Sequence, residues 1–166
     1  ISFRTMPGEI FRRGAKALGI EVVRKKFSDP SKAQALLDEK LSSGIPVGCQ
    51  VGVFHLAYFP KEYRFHFNAH NIIVYGKKDQ QYLISDPVME TVTSLNAAQL
   101  EDVRFARGPL APKGHLYYPV NVQVASDEQL RKAIKIALHK NAWWMTRVPF
   151  SFIGSSGFKY EVIINY

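Results

Sequence analysis

The chain has a single cysteine, Cys49, in 166 residues. One thiol excludes an internal disulfide framework and any zinc site built from several cysteines. It suits a reducing compartment, so a cytoplasmic location is the expectation. Long apolar runs are missing too: none approaches the roughly 20 residues a membrane-spanning helix needs. No basic-then-apolar leader opens the sequence, and its first residue is Ile1 rather than methionine. The expectation is that residues of a longer protein precede it. Acidic residues are few, 14 against 22 lysines and arginines, for a net charge of +8. Such a balance favours an anionic partner, whether nucleic acid, an acidic protein or an anionic membrane surface. The charge is spread along the chain, in Arg12–Arg13–Lys16, Arg24–Lys25–Lys26 and Arg131–Lys132–Lys135–Lys140. That distribution also suits ordinary solvated faces. No nucleic-acid-binding motif accompanies it, which argues against nucleic acid. There is no internal repeat.

What is present is enough apolar material for one ordered domain with a core, 46% hydrophobic and 13% aromatic. Thr5-Met-Pro-Gly-Glu predicts a first helix through about Leu18, stopped by Gly19. Ile20–Phe27 reads as a strand. Asp29-Pro30 is an N-cap followed by proline at the first helical position. The helix it starts carries Ala33, Leu36, Leu37 and Leu41 on one face and ends at Gly44. Pro46–Phe54 is almost wholly apolar and fits a buried central strand. Leu56–Tyr63, with Pro60 and three aromatics, reads as a loop. Arg64–Tyr75 and Gln81–Asp86 form a hairpin with a turn at Gly76–Asp79. A short strand at Glu90–Thr93 follows, and Ser94 caps a helix over Leu95–Arg107. Gly108-Pro109 and Pro112-Lys113-Gly114 are the clearest punctuation, setting a boundary between residues 1–112 and an extension, 113–166. That extension holds a strand at Leu116–Val124, a basic amphipathic helix from Asp127 to Trp144 and a strand-like tail. The order of elements is α+β, with helices packed on an antiparallel sheet.

The residues that suggest chemistry are on the hairpin. Folded about Lys78, it makes His70 and Asp86 direct partners, with Cβ atoms about 5 Å apart. A carboxylate that orients an imidazole is two-thirds of an acyl-transfer triad. An unperturbed imidazole has a pKa close to neutral pH, the property that suits His70 to be a general base. The same pair serves equally as a structural tie between two strands. Cys49 is the obvious nucleophile, but it sits in an apolar run, where burial raises a thiol's pKa and makes it inert. Gln50 invites comparison with an oxyanion donor, without further support. His55, His66 and His70 do not read as a metal site, because on a strand the last two stand about 13 Å apart. Ser155 and Ser156, between two glycines, do not form a nucleophile elbow. Trp143–Trp144 reads as packing. The basic helix sets Arg131, Lys132, Lys135, His139 and Lys140 against Leu130, Ile134 and Leu138. Its charge suits phosphates or an acidic protein.

The order of Gly44-Ile-Pro46-Val47, the strand His70-Asn-Ile-Ile-Val74-Tyr-Gly76 and Ile84-Ser-Asp86-Pro87 resembles the papain-like cysteine proteases, as found in bacteriocin-processing peptidases. Over about residues 8–112 the chain is more similar to the N-terminal domain of the butirosin biosynthesis protein H family, through PVGCQVGVFHLAYFPKEYRFHFNAHNIIVYG. That resemblance implies a papain-like fold and a thiol acyltransferase without a cofactor, moving an acyl group from an acidic acyl carrier protein to an amine on a small molecule or peptide. It implies His70 as general base and Asp86 as orienting acid. The family's cysteine lies at the start of the first helix, and Thr5–Leu18 has none. The nucleophile is then expected before Ile1, or the chemistry is lost. A peptidase on the same scaffold, and a binding module with a structural His–Asp pair, are the rival readings.

Overall fold

A computed structural model describes residues 9–120 and 125–147. They divide into two compact units: Glu21–Val122, and a second made from the segments before and after it.

The first unit is a six-stranded antiparallel sheet with two helices. Its strands are β1 (Glu21–Lys25), β2 (Val47–Val51), β3 (His70–Lys78), β4 (Gln81–Ser85), β5 (Thr93–Asn96) and β6 (Leu116–Val120), in the order β1-β6-β2-β3-β4-β5. Two helices of the same unit, Pro30–Ser42 and Ala97–Arg104, pack on it. Among the described residues the chain is therefore α+β, as expected. Because β6 bonds to both β1 and β2, the sheet continues past residue 112.

The first of these helices forms where its signals predict. The Asp29 carboxylate accepts the N–H groups of Ser31 (2.9 Å) and Lys32 (3.4 Å), satisfying donors the first turn leaves over. At the other end Gly44, at φ +72°, lets Ile45 donate to the Lys40 carbonyl and Gly44 to that of Leu41, the paired closure of a left-handed helix end. Ala33 and Leu37 are fully buried. Opposite them lie Val47, Cys49, Val51, Ile72, Val74, Tyr82, Ile84 and Leu95, with Leu100 and Val103 of the second helix. The other sheet face leaves Ile73 and Tyr75 exposed. Gly48 is on that second face, where any Cβ would collide with the Tyr117 ring of β6.

Three local expectations need correction. The hairpin turn is Asp79-Gln80, not Gly76–Asp79: both residues take positive φ (48° and 64°), and Lys78 pairs with Gln81. Two positive-φ residues match the twist of the flanking strands and close a two-residue loop. Tyr75 is then the extra residue of a β-bulge, since Val74 faces Ile84 but Gly76 faces Leu83. The short strand runs over Thr93–Asn96 rather than Glu90–Thr93 and includes Ser94. Asn96 caps the following helix instead, in a reciprocal box with Gln99: Asn96 Oδ1 takes the Gln99 N–H (2.9 Å) and Gln99 Oε1 takes the Asn96 N–H (3.0 Å).

In the second unit, α1 (Glu9–Ala17) ends at Gly19, at φ +69°, as predicted, while residues 5–8 of the expected helix lie outside the described residues. The basic helix, Asp127–Arg147, starts with a box in which Ser126 and Gln129 bond each other's backbone N–H. Leu130, Ile134 and Leu138 are exposed on it, as is Trp143. The last four residues expected for β6, the strand-like tail, Ser155 and Ser156 lie outside the described residues.

Candidate active site around His70 and Asp86

The bulge changes how His70 and Asp86 meet. The β3–β4 ladder ends at Ile73↔Ser85, and one more step would set Asp86 against Ile72. His70 pairs instead with Val51 of β2. The two residues are thus diagonal neighbours rather than direct partners. A slip of two residues keeps every side chain on its face, because the strand period is two. Diagonal neighbours stay within reach of a long side chain. The side chains accordingly meet, with His70 Nε2 at 2.8 Å from Asp86 Oδ2.

Asp86 is fixed from several sides. Pro87 follows it and ends the strand's ladder. Its Oδ1 accepts the Val88 N–H at 2.9 Å, and its carbonyl accepts the Met89 N–H at 3.1 Å. Its Oδ2 accepts the Tyr58 hydroxyl at 2.7 Å as well as the imidazole. The carboxylate is fully buried, so these three donors replace its water. The imidazole itself stays 12% exposed, enough to meet a reactant.

Tyr58 is the residue sequence reasoning missed. It stands in the loop before β3, inside the stretch that carries the family resemblance, but nothing in its spacing pairs it with Asp86. Burial pushes its phenol well above the ordinary tyrosine range, and the hydrogen bond and charge of Asp86 push it further. The group therefore keeps its proton and remains a donor. Arg64 anchors this loop: its Nε donates to the Phe59 carbonyl (2.9 Å) and its Nη2 to that of Ala57 (2.7 Å), on either side of Tyr58. The Phe59 ring stands edge-on to His70, 5.8 Å between centroids.

This arrangement fixes the histidine's chemistry. A carboxylate accepts and does not donate, so Nε2 carries the proton shared with Asp86. Nδ1 is then the basic nitrogen, and it has no hydrogen bond among the described residues.

The other candidates separate from this pair. Cys49 is fully buried opposite Ile72, and burial pushes its thiol up to about 11, with the Arg104 charge a smaller opposing effect. A thiol held protonated is not a nucleophile at neutral pH. Gln50 is no oxyanion donor: its amide donates to the carbonyls of Asn68 (2.8 Å) and Leu110 (3.1 Å), using both hydrogens. His66 stacks on Phe54, centroids 4.0 Å apart. Among the described residues no three His, Cys, Asp or Glu side chains gather to hold a metal. No described helix is long and apolar enough to cross a membrane.

No curated protein matches the chain. A crystal structure of a candidate C39-like peptidase from Bacillus anthracis overlaps with a TM-score of 0.48 and 14% identity, covering 76% of this chain and 63% of that one. The chain thus spans less than two-thirds of that protein. Residues 98–162 match a domain of unknown function, DUF4872. Residues 1–87, which include Tyr58, His70 and Asp86, match the model described as butirosin biosynthesis protein H, N-terminal, and the chain belongs to that family.

Proposed function

We propose that the sheet unit is the His–Asp half of a papain-like acyltransferase, with His70 as general base and acid and Asp86 as its orienting carboxylate. The observation that carries the reading is the 2.8 Å bond from His70 Nε2 to a carboxylate that is fully buried and fully hydrogen-bonded. An attacking thiolate comes from a residue outside the 166-residue sequence, since Cys49 is held protonated. The thiolate adds to the carbonyl carbon of an acyl thioester on a carrier protein. The tetrahedral adduct expels the carrier's thiol, which takes its proton from the His70 imidazolium. An amine then attacks the acyl-enzyme, His70 Nδ1 takes the amine's proton, and the amide leaves as the thiolate is restored. Asp86 supports the imidazolium formed in each half-reaction. Family membership supports the acyl-transfer class, and the net charge of +8 suits an acidic carrier.

A peptidase would use the same groups with an amide as donor. The intact protein, offered an acyl-carrier thioester plus an amine and, separately, peptides, is expected to form the new amide and to leave the peptides uncut. Peptide cleavage without amide formation would make it a hydrolase, and neither activity would reduce the pair to a strand tie.

A further inference from the structure

We propose that the cleft between the β1–helix connection and the loop before β6 binds a small organic anion bearing an aromatic or short aliphatic group, an assignment beyond the acyl-transfer reading. The cleft encloses about 490 Å³ and is lined by Lys26, Phe27, Phe105, Arg107, Ala111 and Lys113, among others. That volume is within the roughly 300–1,000 Å³ typical of small-molecule sites. Three cations share its rim, and no acidic residue lines it. The side chains of Lys26, Arg107 and Lys113 have no ion-pair or hydrogen-bond partner among the described residues. Like charges gathered without a counter-charge repel one another, and a bound anion relieves that repulsion. Burial lowers the pKa of the His115 imidazole, and the charges of Lys26 and of Arg24, which is not part of the cleft, lower it further.

The floor supplies the second half of the recognition. Phe27 and Phe105 are both partly buried and line the same cleft as the cations, giving it apolar surface. A bare inorganic ion would leave that surface wet, whereas an anion with a ring or short chain covers it.

The walls are held in place before any ligand arrives. The Phe27 N–H donates to the Lys113 carbonyl at 3.0 Å, tying one wall to the other. The buried Asn68 side chain donates to the carbonyls of Arg107 (3.1 Å) and Pro109 (2.9 Å). Gly114, at φ +56°, lies against Phe105 where a Cβ would come within 2.5 Å of the ring. Leu110 and Lys113 are kept at positive φ, 57° and 52°. A loop held in a sparsely populated conformation, with unpaired charges above an apolar floor, is a preorganised site rather than a random stretch of surface.

The test is a titration of the protein with phenylphosphate, followed by NMR shifts and calorimetry, with inorganic phosphate, benzyl alcohol and benzoate as comparisons. Saturable binding at about 1 mM or tighter is expected, with the shifts centred on Phe27, Phe105 and Lys113. Inorganic phosphate and benzyl alcohol should each bind about tenfold more weakly, since each supplies half of the recognition. Benzoate binding as tightly would assign the site to organic anions in general, and phenylphosphate alone would assign it to phosphate monoesters; either supports the proposal. Lys26→Glu and Lys113→Glu should each weaken phenylphosphate about tenfold or more with unchanged thermal melting, and Lys61→Glu, away from the cleft, should not. No saturation below ~10 mM, benzyl alcohol binding as tightly as phenylphosphate, or equal weakening by Lys61→Glu would overturn the assignment.

Discussion

Asp86 accepts three hydrogen bonds in a fully buried position, and each donor has its own effect. The Val88 N–H on Oδ1 fixes the carboxylate's rotation, the imidazole on Oδ2 is the group it orients, and the Tyr58 hydroxyl is the second donor to Oδ2. Removing Tyr58's hydroxyl leaves a buried carboxylate oxygen one donor short. Tyr58→Phe should therefore cost about 1.5–3 kcal/mol in urea unfolding at pH 7, the range for a hydrogen bond to a charged group. Unchanged stability would mean that water replaces the phenol and that the site is wetter than this packing implies.

Cys49 makes a prediction of opposite character, because its chemistry is suppressed. Burial pushes its pKa in the folded protein up to about 11, above that of an ordinary exposed thiol, so folding favours the protonated form. The stability it lends is fully present below pH 9 and is lost as pH rises towards 11. By pH 11 the loss is on the order of 2 kcal/mol. Cys49→Ala should flatten this part of the stability–pH curve, measured by urea unfolding between pH 8 and 11 after allowing for the buried tyrosines. Equal slopes in both proteins would contradict a buried, protonated thiol.

At the scale of elements, the hairpin joins the site to the fold. Its turn places Asp79 and Gln80 at positive φ, where non-glycine residues are strained. Gln80→Gly should raise stability by about 1 kcal/mol, read from the thermal midpoint, with no change in the β3–β4 pairing. A loss of stability would mean that the Gln80 side chain holds the turn. The hairpin also marks how far sequence could be read. Alternation gave the faces correctly: His70, Ile72 and Val74 share one side, and Tyr82, Ile84 and Asp86 the matching one. Caps and stops at Asp29, Gly19 and Gly44 were equally legible, because their signals are local. The register was not. Gly76 is the residue the sequence offers for the turn, whereas two non-glycine residues make it and a bulge absorbs Tyr75. Ser94 and Asn96 are both capping residue types two positions apart, and only the Gln99 three residues after Asn96 distinguishes the true cap. Tyr58 was out of reach for a different reason: its bond to Asp86 joins a loop to a strand end 28 residues away, and no periodicity encodes that contact.

At the scale of the whole molecule, two features bear on function together. The sheet unit, Glu21–Val122, contains His70, Asp86, Tyr58 and the cationic cleft, so the groups discussed belong to one compact body. The chain carries a net charge of +8, and an anionic donor would be drawn to it at long range. If an acidic carrier protein is the donor, raising salt from about 50 to 500 mM should lower kcat/KM through KM and leave kcat nearly unchanged. A salt-independent KM would point to an uncharged donor.

The central claim is that His70 moves protons rather than merely tying two strands together. It is tested most directly by comparing His70→Ala with the unaltered intact protein in acyl transfer from a carrier thioester to an amine, alongside thermal melting. The expected result is a rate loss of about 10²–10⁴-fold with the melting midpoint little changed, the scale of a lost general base. Transfer at an undiminished rate, or a large drop in melting temperature with no transfer activity in either protein, would contradict it.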